Sequence, residues 1–593
     1  MNVIRDLKNW KSKLEISVFA SIKNSSVHPL RQVRRLANKQ ASKPVFEMLE
    51  ERQHFSIVTV TTTADSGTGS LRSAIQAVDA GKDNTIDFDI PTSQESGGLG
   101  MWMINVKSAL PTLTKPALID GTSQPSYQGP YGPRIDLNGS ETTTAVVGLE
   151  ATGGNTTIRG LSIGDFSTGV EFSDSTGGDL VKGCELGNYA GTNRMATDIL
   201  LDSPHSTATG NIIYLQQSTY SGIQAAGSYD SVSNNNINGF DYSYGVGVDV
   251  EGVEPSGGGF PSNVTGVTVA NNAINTIGTG VCSDNFTNDN TISGNTIDDA
   301  DTGILVENYS SNNTLTNNVV TSSNLTGISV LSSYNTIGKV GSGNTVTESF
   351  GTGTCDGIDI YGGYNSIIGN TSSDNAGAGL VISYIDGADN FAVHNTVQDN
   401  TLDDNQGPGV VLGNDASNNL IGGTSTGQGN VITGPDETLN GANIGSFVDV
   451  SVDSTASSNE ILGNSISDSP GSFGISGTSL PEAPTISAAV APIAGAATIT
   501  GTVHSTAFTT VRVELFASPA ESSQATPLDN EGATYLGYVN VTTNLFGNAT
   551  YSTTVARTPG EVITATATSN GTTSEFSKAV TETRLSVIVP RHI

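Results

Sequence analysis

Between residues 268 and 330 the apolar positions keep a fixed rhythm. Thr268, Thr291 and Thr314 each open a phrase that reaches Asn four residues later and Ile or Val two residues after that. The same phrases then return to Thr-Gly-Ile/Val at Thr279, Thr302 and Thr326. Inside each phrase Ile or Val recurs at every second position: Ile304 and Val306 flank Leu305, and Ile328 and Val330 flank Ser329. That is strand periodicity, two or three short strands per phrase, with no room for a helix.

Anchoring on the residue two before the core Ile/Val/Leu extends the phrase along the chain. The anchors are Leu161, Cys184, Asn211, Asn235, Asn272, Asn295, Asn318, Asn344, Asn370, Asn400, Asn430 and Asn464. A short period with loop-like insertions marks a solenoid, in which one coil cannot bury its apolar face alone. Stacked coils place equivalent strands in parallel, so Ile297 is expected over Val320 at about 4.8 Å. The anchor Asn has a physical role: its amide donates to one neighbouring coil and accepts from the other. Antiparallel hairpins would not require a sustained in-phase Asn-x-Ile. After Gly477 the phrase stops. Segments such as "ATITGTVH", "TVRVELFAS" and "EVITATATS" then alternate between turns, as in an antiparallel sandwich.

Composition agrees with this pattern. The 593 residues include 70 glycines, and only 14% are charged, which suits short strands and turns. The net charge of −32 is unevenly spread: residues 1–52 hold 11 Lys/Arg and 5 Asp/Glu, leaving 14 basic against 52 acidic residues beyond them. So acidic a body repels nucleic acid, whose binding needs Lys and Arg. Three cysteines make no disulfide framework. No run of 18 apolar residues is present, so no membrane-spanning helix is expected.

Several stretches resemble known families. "VTTTADSGTGSLRSAIQAVD" (60–79), "SALPTLTKPALIDGTSQP" (108–125) and "NTTIRGLSI" (155–163) resemble the opening coils of bacterial right-handed parallel β-helix surface proteins, relatives of the pectate-lyase-like fold. The resemblance implies an all-β chain: a right-handed parallel β-helix solenoid with an N-terminal cap helix at "SLRSAIQAV", followed by a small antiparallel β-sandwich. Phe46–Arg52, Phe-Glu-x-Leu-Glu-x-Arg, resembles an N-terminal motif of exported planctomycete proteins, departing from it at Glu51 and at His54-Phe55. "VRVELFASPA" and the segment after it resemble an immunoglobulin-like module. The expected organisation is a basic leader at 1–55, cap and first coils at 56–150 and repeats at 151–478. A linker at 479–492, the sandwich at 493–583 and a tail at 584–593 follow.

The resemblance is specific for architecture and leaves activity open. An elimination site on this fold would need a strong base and cations for the uronate, yet Lys339 is the one basic residue between Arg194 and Arg512. Gly-His-Gly and Arg-x-Lys phrases, which the polygalacturonase pattern would supply, are absent. No catalytic residue is assigned. His205, His394 and His504 read as loop, turn and strand residues, and Cys184 as a small buried hydrophobe in an anchor slot.

Three sets remain as candidate ligand sites. Arg159 and Lys182 share one register on adjacent coils and need an acidic neighbour, either Glu185 or Asp179, or an anionic ligand. Tyr242, Tyr244 and Phe260, in the insertion 238–265, have rings able to stack on sugars. Asp374 stacks on Asp404, with Asp403 beside them; such carboxylates serve as an acid/base pair, as a Ca²⁺ site with Asn375 and Asn405, or as turn formers. Asp298, Asp299 and Asp301 form a similar cluster. The favoured expectation is an extracellular or cell-surface protein with a structural, adhesive or glycan-binding role, its partner a polysaccharide or cell-surface component. The alternative is a polysaccharide-degrading lyase or glycoside hydrolase.

Overall fold

The computed structural model describes residues 56–584, apart from 97–99, 130–133, 188–195, 216–218, 240–244, 253–262, 352, 386–390, 435–447, 468–472, 494, 520–530 and 582. The leader, and with it the export-motif reading, lies outside the described residues.

The repeat folds as a parallel β-helix. One strand per coil builds a 15-stranded parallel sheet, and the remaining strands of the coils merge into a second sheet of 25. The inter-coil register is the one expected: Ile297 pairs with Val320, and Val320 with Val346. The inward residues form one continuous core. Ile292, Leu315 and Ile337 on the first sheet and Ile304, Ile328 and Ile358 on the second are buried. At the N-terminal end the helix Leu71–Asp79, capped by the Ser70 side chain, turns Leu71, Ala74, Ile75 and Val78 into that core. It thereby covers apolar side chains that no preceding coil would cover.

The anchor asparagines do what their register requires. From Asn211 to Asn464 each amide oxygen accepts the backbone N–H of the preceding anchor, and Asn295 Nδ2 also donates to Asn318 Oδ1 at 3.0 Å. A second, unanticipated ladder runs parallel to it. Asn290, Asn313, Asn335, Asn365, Asn395, Asn419 and Asn459, each just before a strand of the first sheet, accept from the coil before in the same way. Nearer the N-terminus, Asp179, Ser206 and Asp230 occupy this ladder's slots.

One column of the second sheet is almost all glycine, because the next coil passes too close for a side chain. A Cβ at Gly303 would overlap the Val320 side chain and the Gly327 carbonyl. Asp198 occupies that column between Gly169 and Gly222. Its two carboxyl oxygens are buried without a hydrogen-bond partner among the described residues, and burial pushes its pKa well up.

Two antiparallel sheets follow the solenoid. One contains Thr485–Ile493, Ala496–His504 and Asn548–Ala556; the other contains Thr510–Pro519, Thr534–Thr542 and Glu561–Ser569. The first strand therefore starts inside the segment expected as linker. Ala497, Ile499, Val513 and Ile563 contribute to a core shared by the two sheets. Phe516 and Phe576 belong instead to the solenoid core. Ile466 and Gly532 exchange backbone hydrogen bonds of 3.0 Å, and Gly463 N–H donates to Glu514 Oε2 at 2.9 Å. The C-terminal unit thus closes the last coil.

Candidate functional site: an acidic outer face

Outward positions of the second sheet form columns across the coils. One column reads Gln224, Asp249, Cys282, Leu305, Ser329 and Asp359. Two residues further along each strand, Glu251 pairs with Asp284, and Glu307 follows Val306, the partner of Ser283. Five acceptor or thiol groups (Asp249, Glu251, Cys282, Asp284 and Glu307) therefore meet on three adjacent coils. Parallel pairing brings like charges together at strand spacing, an unfavourable arrangement without compensation.

Compensation is only partial. Glu251 is held by two amides, Gln224 Nε2 at 3.1 Å and Asn285 Nδ2 at 2.8 Å. Asp249 is 4% exposed, and its carboxyl makes no hydrogen bond among the described residues. Burial, followed by the charges of Glu251, Asp284 and Glu307, pushes its pKa up to about 8. The Cys282 thiol, 5% exposed, is pushed well above its ordinary value by burial and then by Asp249 and the other carboxylates. The neighbouring carboxylates, led by Glu251, also raise the exposed Tyr220 hydroxyl, and Tyr220 O accepts the N–H of Val246, which opens the strand carrying Asp249 and Glu251. Beyond Asp284 and Glu307, Phe286 and Tyr309 stack with centroids 5.0 Å apart.

Asp359 sits in the same outward column, 2% exposed. Its Oδ2 accepts from Thr326 and Tyr361, while Oδ1 has no partner. Burial, with Asp356 nearby, raises its pKa from 3.8 to about 7. The native fold therefore keeps a proton that the unfolded chain releases above pH 3.8. This group's contribution to stability is full below pH 3.8 and falls as pH rises toward 7. Asp359→Asn removes that dependence but leaves a buried amide N–H₂ unpaired. Thermal melts are expected to place the variant below wild type at pH 4 and above it at pH 7.5; parallel curves would contradict this assignment.

The expected site residues fall out as follows. Arg159 and Lys182 are register neighbours, but the acidic partner is neither Glu185 nor Asp179. Asp120, on the coil before, takes Arg159 through Nε at 2.9 Å and Nη2, while Glu185 pairs with Arg134 at 2.7 Å and Asp179 accepts from Thr156 N–H. The stacked positive pair is thus relieved from below. Asp374 and Asp404 hold left-handed corners, φ 57° and 52°, and Asp403 accepts from Thr433 Oγ1. The amide oxygens of Asn375 and Asn405, needed for calcium, accept ladder bonds from Ser349 and Asn375. The three aspartates do not close on a common point within 4.8 Å; Cys282, Asp284 and Glu307 do. Tyr242, Tyr244 and Phe260 lie outside the described residues. Their segments, 240–244 and 253–262, flank the strand Val246–Glu251 that carries Asp249 and Glu251.

A family model described as periplasmic copper-binding protein (NosD) matches residues 245–423, starting at the strand of Asp249. Among the described residues the donors here do not suit copper. Cu(I) favours several thiolates or thioethers and Cu(II) favours imidazole, whereas this cluster has one thiol and carboxylates. No curated protein sequence matches the chain. Among solved structures, the tailspike protein of E. coli bacteriophage HK620 in complex with a pentasaccharide is similar at 13% identity. The match covers 84% of this chain and 92% of that one, with a TM-score of 0.43. An alginate lyase, AlyF-OU02, is similar at 14% identity over 72% and 89% (TM-score 0.37), and the periplasmic alginate epimerase AlgG at 12% over 66% and 78% (TM-score 0.35). No helix of the described residues is long and apolar enough to cross a membrane.

Proposed function

We propose that this is an exported β-helix protein that binds a neutral or amino-sugar polysaccharide across its acidic outer face, without cleaving it. The observation that carries this reading is the chemistry of the face around Asp249. It offers carboxylates, the amides of Gln224 and Asn285 and aromatic rings, and the sequence places no Lys or Arg between Arg194 and Lys339. Carboxylates accept from sugar hydroxyls or ammonium groups, and the exposed Tyr220 ring supplies apolar contact. A uronate polymer would instead meet the like charge of a face rich in carboxylates. The basic leader, with its resemblance to an export motif, supports a location outside the cytoplasm.

The test is a polysaccharide array followed by calorimetry on the full chain. Neutral or amino-sugar polymers are expected to bind. Tyr220→Ala is expected to weaken binding about tenfold, equivalent to roughly 1.4 kcal/mol. Binding confined to uronate polymers would sink the reading. Release of new reducing ends would replace it with the hydrolase alternative.

A further inference from the structure

We infer that Cys282, Asp284 and Glu307, with the buried Asp249 beside Cys282 on the adjacent coil, form a site for a borderline divalent cation of the zinc class. Nothing in this inference depends on glycan binding.

The geometry comes from two adjacent coils. Cys282 and Asp284 lie on the strand Ala273–Asp284, and Glu307 directly follows the strand Thr296–Val306. Cys282 Sγ and one oxygen from each carboxylate all lie within 4.8 Å of one another. With Zn–S near 2.3 Å and Zn–O near 2.0–2.2 Å, donors on a tetrahedral ion stand roughly 3.5 Å apart. The side chains need draw together by only about 1 Å, and the register already fixes their backbones.

An acidic cluster alone would not make a site, because turns and solvated faces produce them freely. Asp249 supplies the independent observation. It is directly opposite Cys282 in the β-ladder, is 96% buried by its 4% exposure, and receives no hydrogen bond among the described residues. Parallel pairing sets its side chain on the same face of the sheet as Cys282, one strand spacing away. Buried carboxylates are normally paired, hydrogen-bonded or bound to a metal. Here no donor has been provided, and no Lys or Arg exists between Arg194 and Lys339 to neutralise the set. A cation supplies what Asp249 lacks and removes the repulsion between Asp284 and Glu307. Glu251, already held by Gln224 and Asn285, borders the site and needs no ion of its own.

The donor set selects the metal. One thiolate and two carboxylates, with a fourth position left for water or Asp249, suit Zn²⁺, and Co²⁺ in its place. Calcium requires six to eight oxygens, and magnesium near-octahedral oxygen coordination, neither of which tolerates the thiol well.

The experiment uses the full chain, stripped with chelator and titrated with Zn²⁺ or Co²⁺. About one Zn²⁺ per chain is expected to survive dialysis, and Co²⁺ to give a thiolate-to-metal charge-transfer band. Zn²⁺ should protect Cys282 from alkylation in mass-spectrometric mapping while leaving Cys184 and Cys355 unaffected. Cys282→Ser should abolish the charge-transfer band, and Asp249→Asn should weaken Zn²⁺ binding at least tenfold. Both variants should keep the wild-type circular dichroism spectrum. Failure to retain Zn²⁺, equal affinity in Asp249→Asn, a charge-transfer band persisting in Cys282→Ser, or Ca²⁺ binding as tight as Zn²⁺ would each overturn the proposal. If a variant misfolds, the alkylation map and Co²⁺ spectrum of the wild-type chain decide alone.

Discussion

Asn318→Ala is expected to destabilise the solenoid by about 3–5 kcal/mol, far more than its polar identity suggests. Asn318 is fully buried, and its amide makes four hydrogen bonds. Oδ1 accepts Asn295 N–H at 3.1 Å and Asn295 Nδ2 at 3.0 Å; Nδ2 donates to Asn344 Oδ1 and to Ile292 O, each at 2.9 Å. Truncation leaves both Asn295 donors without their acceptor and takes one bond from Ile292 O where water does not reach. Each unsatisfied group costs roughly 1–3 kcal/mol before relaxation, while Asn344 Oδ1 keeps the backbone N–H of residue 318. Asn318→Asp should fare no better, since its second carboxylate oxygen would face the Asn344 and Ile292 oxygens. The neighbouring Asn317 is the control. It is exposed with φ 54°, a conformation glycine adopts freely, so Asn317→Gly should leave stability within about 0.5 kcal/mol. Denaturant unfolding of the three variants reads the difference directly. Amide exchange should show the loosening of Asn318→Ala centred on residues 291–346, because each coil contacts chiefly its neighbours. An Asn318→Ala variant as stable as Asn317→Gly would mean that the ladder is incidental to stability.

The ladder was legible because it is the phase on which the repeat was read. Asn295, Asn318 and Asn344 stand at fixed offsets from an apolar residue, so their stacking followed from period alone. The second ladder was equally present in the sequence, as the Asn preceding Thr291, Thr314 and Thr336, but a single anchor per coil concealed it. The acidic face was harder to see. Asp249 and Cys282 occupy an outward column where the following coils carry Leu305 and Ser329, and Glu307 lies two residues beyond Leu305, so no motif repeats and only the register assembles them. Arg159 illustrates a different limit. Its phase with Lys182 was correct, but Asp120 lies on a coil before the first anchor, beyond the reach of the anchored repeat. The C-terminal unit was recognised as antiparallel strands, whereas its closure of the solenoid depends on Phe516, Phe576 and Glu514, which no local pattern marks out.

Val320→Asp and Val319→Asp, two identical chemical changes one residue apart, are expected to differ by several kcal/mol. Val320 is 0% exposed, paired between Ile297 and Val346 inside the solenoid. Val319 is 38% exposed, between Thr296 and Thr345 on the outer surface. At position 320 the substitution removes apolar contact worth about 1.5–3 kcal/mol and introduces an unpaired carboxyl costing several kcal/mol more. Protonation offers only partial relief, because the uncharged carboxyl would still lack a hydrogen-bond partner there. Val320 is packed against the space above Gly303, where even a Cβ would not fit. At position 319 the carboxylate stays in water, and the cost is the lower strand preference of Asp, about 1 kcal/mol or less. Thermal melts should therefore place Val319→Asp near wild type and Val320→Asp far below it or unfolded. Because side-chain direction reverses at every residue of a strand, a slip of one position would exchange the two results. Equal melting temperatures would be incompatible with a register that places Val320 over Ile297.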